Sequence, residues 1–201
     1  HEAPSPDSYA AYNRTNVPEP NVFIKLIFGL PIFFVITVVS YIPWFAALFL
    51  LLDQDFSFDS HDTVKGVIHW YSWPRRIGYH FLARVIRNVA PPLINLILGI
   101  LVKRVIGFNR AGSMRNASQL VLFRRWITGL LLSQRRLKQA FGLLGTHYEM
   151  TSIVFRAMGA RIGKRVYWPG SGIDCPDPEL LEVGDDVVFG SRSEILTSDS
   201  I

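Results

Sequence analysis

The feature that most constrains this chain is the run from Leu26 to Leu52, 27 residues without an Asp, Glu, Lys or Arg. As a helix rising about 1.5 Å per residue it reaches about 40 Å, against an apolar bilayer core of about 30 Å. Tilt can absorb the excess. Pro31 falls in the first turns; Pro43 should kink the helix, which membrane helices tolerate because their neighbours satisfy the freed carbonyl. The competing reading is a core helix of a soluble fold. Composition argues against it, since 201 residues with 49% hydrophobic content and a mean hydropathy of +0.24 are unusually apolar for a soluble domain of this length. A membrane α-helical region is therefore expected over 22–117, with its first span at 22–52.

A second apolar stretch, Val89 to Val102, contains Pro91-Pro92 and closes on Lys103 and Arg104. It is short for a span. It crosses, as a span over 81–108, if Phe81 to Ile86 join it and Arg84 and Arg87 snorkel; a re-entrant or interfacial helix is the alternative. Before it lies a polar connection, 53–88, that begins acidic at Asp53, Asp55, Asp59 and Asp62 and ends basic. The aromatic run His69 to Pro74 within it suits either a membrane interface or an ordinary surface helix end. Residues 1–21, with Pro4, Pro6, Pro18 and Pro20 among polar residues, form a linker or tail and lack the basic start and short apolar core of a signal peptide.

Residues 118–144 place Leu120, Phe123, Ile127, Leu130, Leu131, Leu137, Phe141 and Leu144 near helical spacing, interrupted by Arg124, Arg125, Arg135, Arg136 and Lys138. A basic amphipathic helix of this kind suits a surface of anionic headgroups, or it packs as a core helix on a soluble domain. From Lys103 to Lys138 every charged residue is basic, so the positive-inside bias makes this side cytoplasmic. With both stretches crossing, residues 1–21 are cytoplasmic as well, and the sequons at Asn13 and Asn116 face no lumen. The net charge of +5 thus speaks to the lipid bilayer and anionic lipid headgroups as partners. No recognition motif accompanies it to suggest nucleic acid. Cys175 is the only cysteine, which excludes an intrachain disulfide and a cysteine metal site.

After Gly145 the pattern changes. Val183, Phe189, Ile195 and Ile201 keep a period of six, and glycine follows the apolar residue at 163, 184 and 190. That period fits neither a helix nor an alternating strand. It fits a parallel β-helix, in which each hexapeptide makes a short strand and a corner, and three complete a coil of about eighteen residues. From Ile162 to Val183 the step is 21, so one corner must bulge, with Pro169 to Gly172 and Pro176 to Pro178 as loop residues. An incomplete hexapeptide-repeat β-helix is expected over 145–201. His1 at the start, and a repeat still running at Ile201, make a fragment of a longer protein the expectation.

The segments Met158 to Val166 (Met-Gly-Ala-Arg-Ile-Gly-Lys-Arg-Val) and Asp177 to Val187 (Asp-Pro-Glu-Leu-Leu-Glu-Val-Gly-Asp-Asp-Val) resemble hexapeptide-repeat acyltransferases with a left-handed parallel β-helix. More narrowly, they resemble the membrane-bound C-terminal units of nonribosomal-peptide-synthetase-like enzymes of the ε-poly-lysine synthetase and related fungal type. The resemblance rests on 145–201 by motif and on 22–144 by layout alone. It implies acyl or aminoacyl transfer from a carrier thioester to an amine, with ATP and a phosphopantetheine-linked donor belonging to the full-length protein, and the carrier domain of the same polypeptide as a partner. It also implies a possible homo-oligomer about a threefold axis.

No residue here is assigned to a metal or cofactor. An amine nucleophile needs a base, and histidine suits that role near neutral pH. The resemblance places such a histidine in later coils. His147 is the nearest one here and the only catalytic candidate, with helix start or packing as its other reading. Asp174, Asp177, Glu179, Asp185 and Asp186 read as solvated turn residues. The expected function is the acyltransferase-like unit of a multi-pass membrane enzyme with its β-helix on the cytoplasmic side. The alternatives are a non-catalytic trimerising platform or part of a product-export path. The last is disfavoured, because no ionisable side chain interrupts 26–52.

Overall fold

A computed structural model of the chain describes residues 18–53, 74–111, 117–147, 149–169, 175, 177–190 and 193. The tail before Pro18, the sequons at Asn13 and Asn116, the aromatic run up to Trp73, Asp174, and repeat positions Ile195 and Ile201 lie outside these residues.

The uncharged run is one helical rod, α1. Val22–Ile24 is α-helical, Lys25–Gly29 forms a π-helical turn, and Leu30–Asp53 is α-helical with Pro43 inside it. Its start is capped by Asn21, whose side chain accepts from the Phe23 amide. The second helix, α2, runs Pro74–Ile106 as one element of 33 residues. It therefore begins well inside the expected polar connection. Pro91 and Pro92 do not break it, and Phe81 to Ile86 do join the apolar stretch. Proline at position 74 opens the helix because its missing N–H has no partner to lose there. Late in α1, the Trp44 ring lies 5.1 Å beneath the Arg87 guanidinium early in α2, so the two helices pair as a hairpin.

Val22–Leu50 and Ile77–Ile106 are each long and apolar enough to cross a membrane. Only 11% and 17% of their most apolar windows are buried in the fold. A soluble core helix would be mostly buried. Instead Phe34, Val38, Ile42, Phe45 and Phe49 lie exposed along α1.

The basic segment expected as one helix over 118–144 is two: α3, Gln119–Leu131, and α4, Gln134–Leu144. The break falls at Leu132 and Ser133, where ψ changes to 41° and 151°; Ser133 takes the N-cap position of α4 without a side-chain hydrogen bond. The apolar faces of both helices are packed inside the protein, through Leu122, Phe123, Ile127, Leu131, Leu137 and Phe141. Two glycines allow this close approach to the hairpin. A Cβ on Gly29 would lie 2.2 Å from the Trp126 ring, and one on Gly99 would lie 2.6 Å from Leu132.

Residues 145–201 are not all repeat, because Glu149–Ala157 forms α5. The apolar residues here follow helical spacing: Val154 and Phe155 are buried and Ile153 is exposed. The helix ends in a paired C-terminal turn. Ala160 N–H donates to Phe155 O and Gly159 N–H to Arg156 O, with Gly159 at φ +104°. Then come β1, Arg161–Ile162, a 3₁₀ turn at Pro178–Leu180, and β2, Glu182–Val183.

β1 and β2 pair in parallel, Arg161 opposite Glu182 and Ile162 opposite Val183, and a further parallel bridge joins Tyr167 to Val188. Each pair is separated by the same 21-residue step as Lys164 and Asp185. The bulged coil inferred from spacing thus appears as one parallel rung. Two short strands are less than the expected β-helix, which the described residues do not amount to. Ile162, Val166, Trp168 and Val183 point inward and are buried. Trp168 stacks on Phe155 at 5.1 Å and on Phe189 at 5.4 Å. Gly163 is required, because a Cβ there would sit 2.4 Å from the Gly184 carbonyl carbon of the next turn. One buried cluster runs from Ile36 and Leu96 through Ile127, Phe141 and Phe155 to Trp168 and Val183, making hairpin, helices and rung one body.

Candidate functional site

The densest polar arrangement lies where α2 ends against the 3₁₀ turn. Lys103, in the last turn of α2, is 4% exposed although it closes the apolar stretch. Its Nζ lies 2.7 Å from Glu179 Oε2. The Asn109 amide donates to Glu179 Oε1 at 2.9 Å, so both carboxylate oxygens face a donor. Beside them Asp177, 1% exposed, meets Arg125 Nε at 3.6 Å and the Asn109 side-chain amide at 3.4 Å. Two cations and two carboxylates make a neutral quartet drawn from α2, α3 and the turn before β2. Burying it is tolerable because the charges cancel and each group gains polar neighbours.

The two carboxylates are not equivalent. Glu179 has short partners: Oε1 accepts from the Asn109 amide, and Oε2 is held by Lys103 as an ion pair without hydrogen-bond geometry. The contacts of Asp177 given above are long for hydrogen bonds. Burial therefore dominates its electrostatics and pushes its carboxyl above the usual carboxylate range. Glu179 adds to the rise, and Arg125, Asn109 and Lys103 oppose it. Reading Asp177 and Glu179 as solvated turn residues is thus corrected: both are buried and paired. Asp185 and Asp186 are exposed, as expected. They hold the corner of the rung, Asp185 accepting from the Lys164 amide at 2.6 Å and Asp186 Oδ2 from Arg165 Nη2 at 2.6 Å. Arg165 and Asp186 occupy matching corners at φ 55° and 59°. Their pairing holds the Asp186 carboxyl below its ordinary value.

Other basic residues also find partners within the protein. Arg104 Nε donates to Ala157 O at the end of α5 (2.9 Å), and Arg124 Nε donates to Ile106 O at the end of α2 (2.8 Å). Each places a cation where helix carbonyls lack partners and the helix dipole is negative.

His147 stands apart from the quartet. It lies between α4 and α5 and clamps the rung: its carbonyl accepts from Trp168 N–H at 3.2 Å, and its Nδ1 is 3.0 Å from Trp168 O. A carbonyl only accepts, so Nδ1 carries the proton and Nε2 is the basic nitrogen. The ring stacks on Tyr167 with centroids 5.2 Å apart. The structure therefore brings His147 to the coil, and Asp177 and Glu179 to the end of the hairpin, as two separate constellations. Among the described residues no group of three or more His, Cys, Asp or Glu could hold a metal ion.

Sequence reasoning passed over the quartet as a unit. A signal was present: two acids flank Pro178 in the segment that lengthens the coil, between the buried Cys175 and the apolar pair Leu180-Leu181. Comparison with protein-family models, curated proteins and solved structures found no match for this chain.

Proposed function

We propose that this chain anchors a parallel β-coil at a membrane surface and holds it in one orientation, as the docking part of an acyltransferase-like unit. The observation that carries this reading is the buried quartet. A neutral, largely buried ion cluster between the end of an apolar helix and the loop of a coil fixes register more than it adds stability. The hairpin presents apolar side chains outward, and α3 and α4 cover its other face. In this reading α1 and α2 cross the bilayer, and the basic bias from Lys103 to Lys138 places the coil on the cytoplasmic side. Extraction of membranes with alkaline carbonate tests the anchor. The chain is expected to stay with the bilayer; release into the supernatant refutes the reading.

A second, catalytic reading is favoured by one observation, the Nδ1–carbonyl bond that leaves Nε2 of His147 as the basic nitrogen. In the transfer implied by the resemblance, the amine attacks the thioester carbonyl, the C–S bond breaks, and a base moves the amine proton to the leaving thiolate. Membranes bearing the protein, given an acyl thioester and an amine, would form the amide. If His147 is the base, His147→Ala lowers the rate by about 10²-fold or more. An unchanged rate removes His147 from the chemistry and leaves the docking role standing.

A further inference from the structure

A second polar feature lies away from the quartet, beside the middle of the hairpin. A cavity of about 550 Å³ opens there between α1, α2 and α4. Thr37 and Tyr41 line it from α1, Arg87 and Asn88 from α2, and Arg136 and Gln139 from α4. The lining residues of the hairpin fall within 32–41 and 87–96, the middle thirds of the apolar stretches Val22–Leu50 and Ile77–Ile106. No Asp, Glu, Lys or Arg interrupts α1 over 26–52. Charge comes to that depth from the neighbouring helices instead. Arg87 lies over the Trp44 ring at 5.1 Å, and Arg136 lies over the Phe33 ring at 4.8 Å. The two cations meet different parts of the lining, and no carboxylate is among the residues that line it.

The outer side of α4 is charged as well. Arg135 and Lys138 are exposed on it, together with Gln134 and Gln139. With α1 and α2 across the bilayer, this side of α4 lies beside the middle of the spans. Charged side chains at that depth are costly in lipid, and they face protein or a water-filled space. Arg136 points to water. A guanidinium carries five N–H donors. Among the described residues Arg136 has one hydrogen bond, to Leu131 O at 3.5 Å, which is long. The cavity is polar and roomy enough to hold the waters that would answer the rest. The same stretch of α1 turns its other side outward, with Phe34, Val38 and Ile42 exposed and apolar. At mid-depth α1 therefore has one side suited to water and one suited to lipid.

We infer that this cavity is a water-filled recess that reaches the middle of the bilayer and admits small anions, the class drawn by a lining with two cations and no carboxylate. The inference rests on the membrane reading above, since away from a bilayer a wet polar cleft is ordinary.

Thiol reactivity tests it in the full chain with Cys175 replaced by alanine, reconstituted into phosphatidylcholine vesicles. Freeze-thawing in the reagent lets both membrane faces meet it. The probes are two charged methanethiosulfonates that do not cross lipid, the anionic sulfonatoethyl and the cationic trimethylammonioethyl compounds. Thr37→Cys places a thiol in the lining. Val38→Cys, the next residue, lies at nearly the same depth but about 100° round the helix, on the exposed apolar side. Thr37→Cys is expected to react at least about 100-fold faster than Val38→Cys. Gln139→Cys, an exposed lining position on α4, takes its place if Thr37→Cys does not fold. Relative to free cysteine, the anionic reagent should gain about tenfold over the cationic one at the lining thiol. Arg87→Gln and Arg136→Gln should each reduce that gain, and the ratio cancels any change in thiol acidity. A folded Thr37→Cys protected to the level of Val38→Cys overturns the recess. Reaction without charge preference, or with a preference that both arginine variants leave unchanged, overturns the assignment to anions. Fast reaction of Val38→Cys as well places the hairpin outside lipid; it sinks the membrane reading itself and the recess with it.

Discussion

Removing Lys103 should undock the turn that carries Glu179. In Lys103→Met the Glu179 carboxylate stays buried, since both side chains are 4% exposed, and it keeps only the Asn109 amide as partner. Breaking one side of a buried pair costs about 3–5 kcal/mol, because an uncompensated charge remains in a low-dielectric site. Cys175, the single cysteine, reports the opening because it is buried just before Asp177. Where reclosing outpaces labelling, the rate at which a thiol reagent modifies it follows the open population. At about 1.4 kcal/mol per decade, Lys103→Met should label at least about 100-fold faster than wild type. Lys103→Met combined with Glu179→Leu removes both charges and should recover most of the loss. About 1 kcal/mol remains, for the Asn109 amide left without its acceptor. A single variant that labels within about threefold of wild type would refute the buried pair.

Other outcomes follow from the same contacts. Trp168→Ala should destabilise the chain by about 3–5 kcal/mol, read as a lowered thermal midpoint in detergent. The ring is fully buried between Phe155 and Phe189, and its Nε1 donates to Ser152 Oγ at 2.9 Å. Gly163→Ala should disrupt the rung, whereas Gly142→Ala, where nothing lies within 4 Å, should be neutral or stabilise α4 by up to about 1 kcal/mol. The thermal midpoint should also depend on pH through two carboxyls of opposite sign. Asp177 has a folded pKa above its unfolded value, so the folded state binds more protons, and stability falls as pH rises through the range just above the ordinary carboxylate value. Asp177→Asn should flatten that limb. Asp186 is depressed, so its contribution is present above the ordinary value and lost as pH falls below it; Asp186→Asn should flatten the acid limb.

The elements that could be read from sequence are those governed by local pattern. The 27 uncharged residues and the six-residue period each point to one geometry; the helix α1 answers to the first, and of the second only the 21-residue parallel rung, not a β-helix, is present among the described residues. The failures have a common cause. Lys103 and Arg104 read as the basic close of an apolar stretch, and Arg124 and Arg125 as part of a basic surface helix, because charge is the visible property. Three-dimensional proximity buries Lys103 against Glu179, and gives Arg104, Arg124 and Arg125 partners within the protein at Ala157 O, Ile106 O and Asp177. Asp177 and Glu179 read as solvated for the same reason, since their counter-ions, Arg125 and Lys103, lie about 50 residues away in sequence or further, beyond any local window. The helix α5 was hidden because Met158 to Val166 carries the repeat motif and drew the whole of 145–201 into it. Trp168, six residues after Ile162, belongs to the inward series, but an aromatic in an aliphatic position did not register as part of the period.

The anchor is tested most directly by spin labels placed singly at Phe34, Val38, Ile42, Phe45 and Phe49, in the full chain with Cys175 replaced by alanine, reconstituted into vesicles. These positions are exposed in the protein itself, so only the bilayer can shield them. A spanning α1 gives collisions with dissolved oxygen that exceed those with a water-soluble nickel chelate, most strongly at the positions midway along the helix. Free access of the chelate at all five positions would contradict membrane insertion, and with it the role of the quartet as a membrane dock.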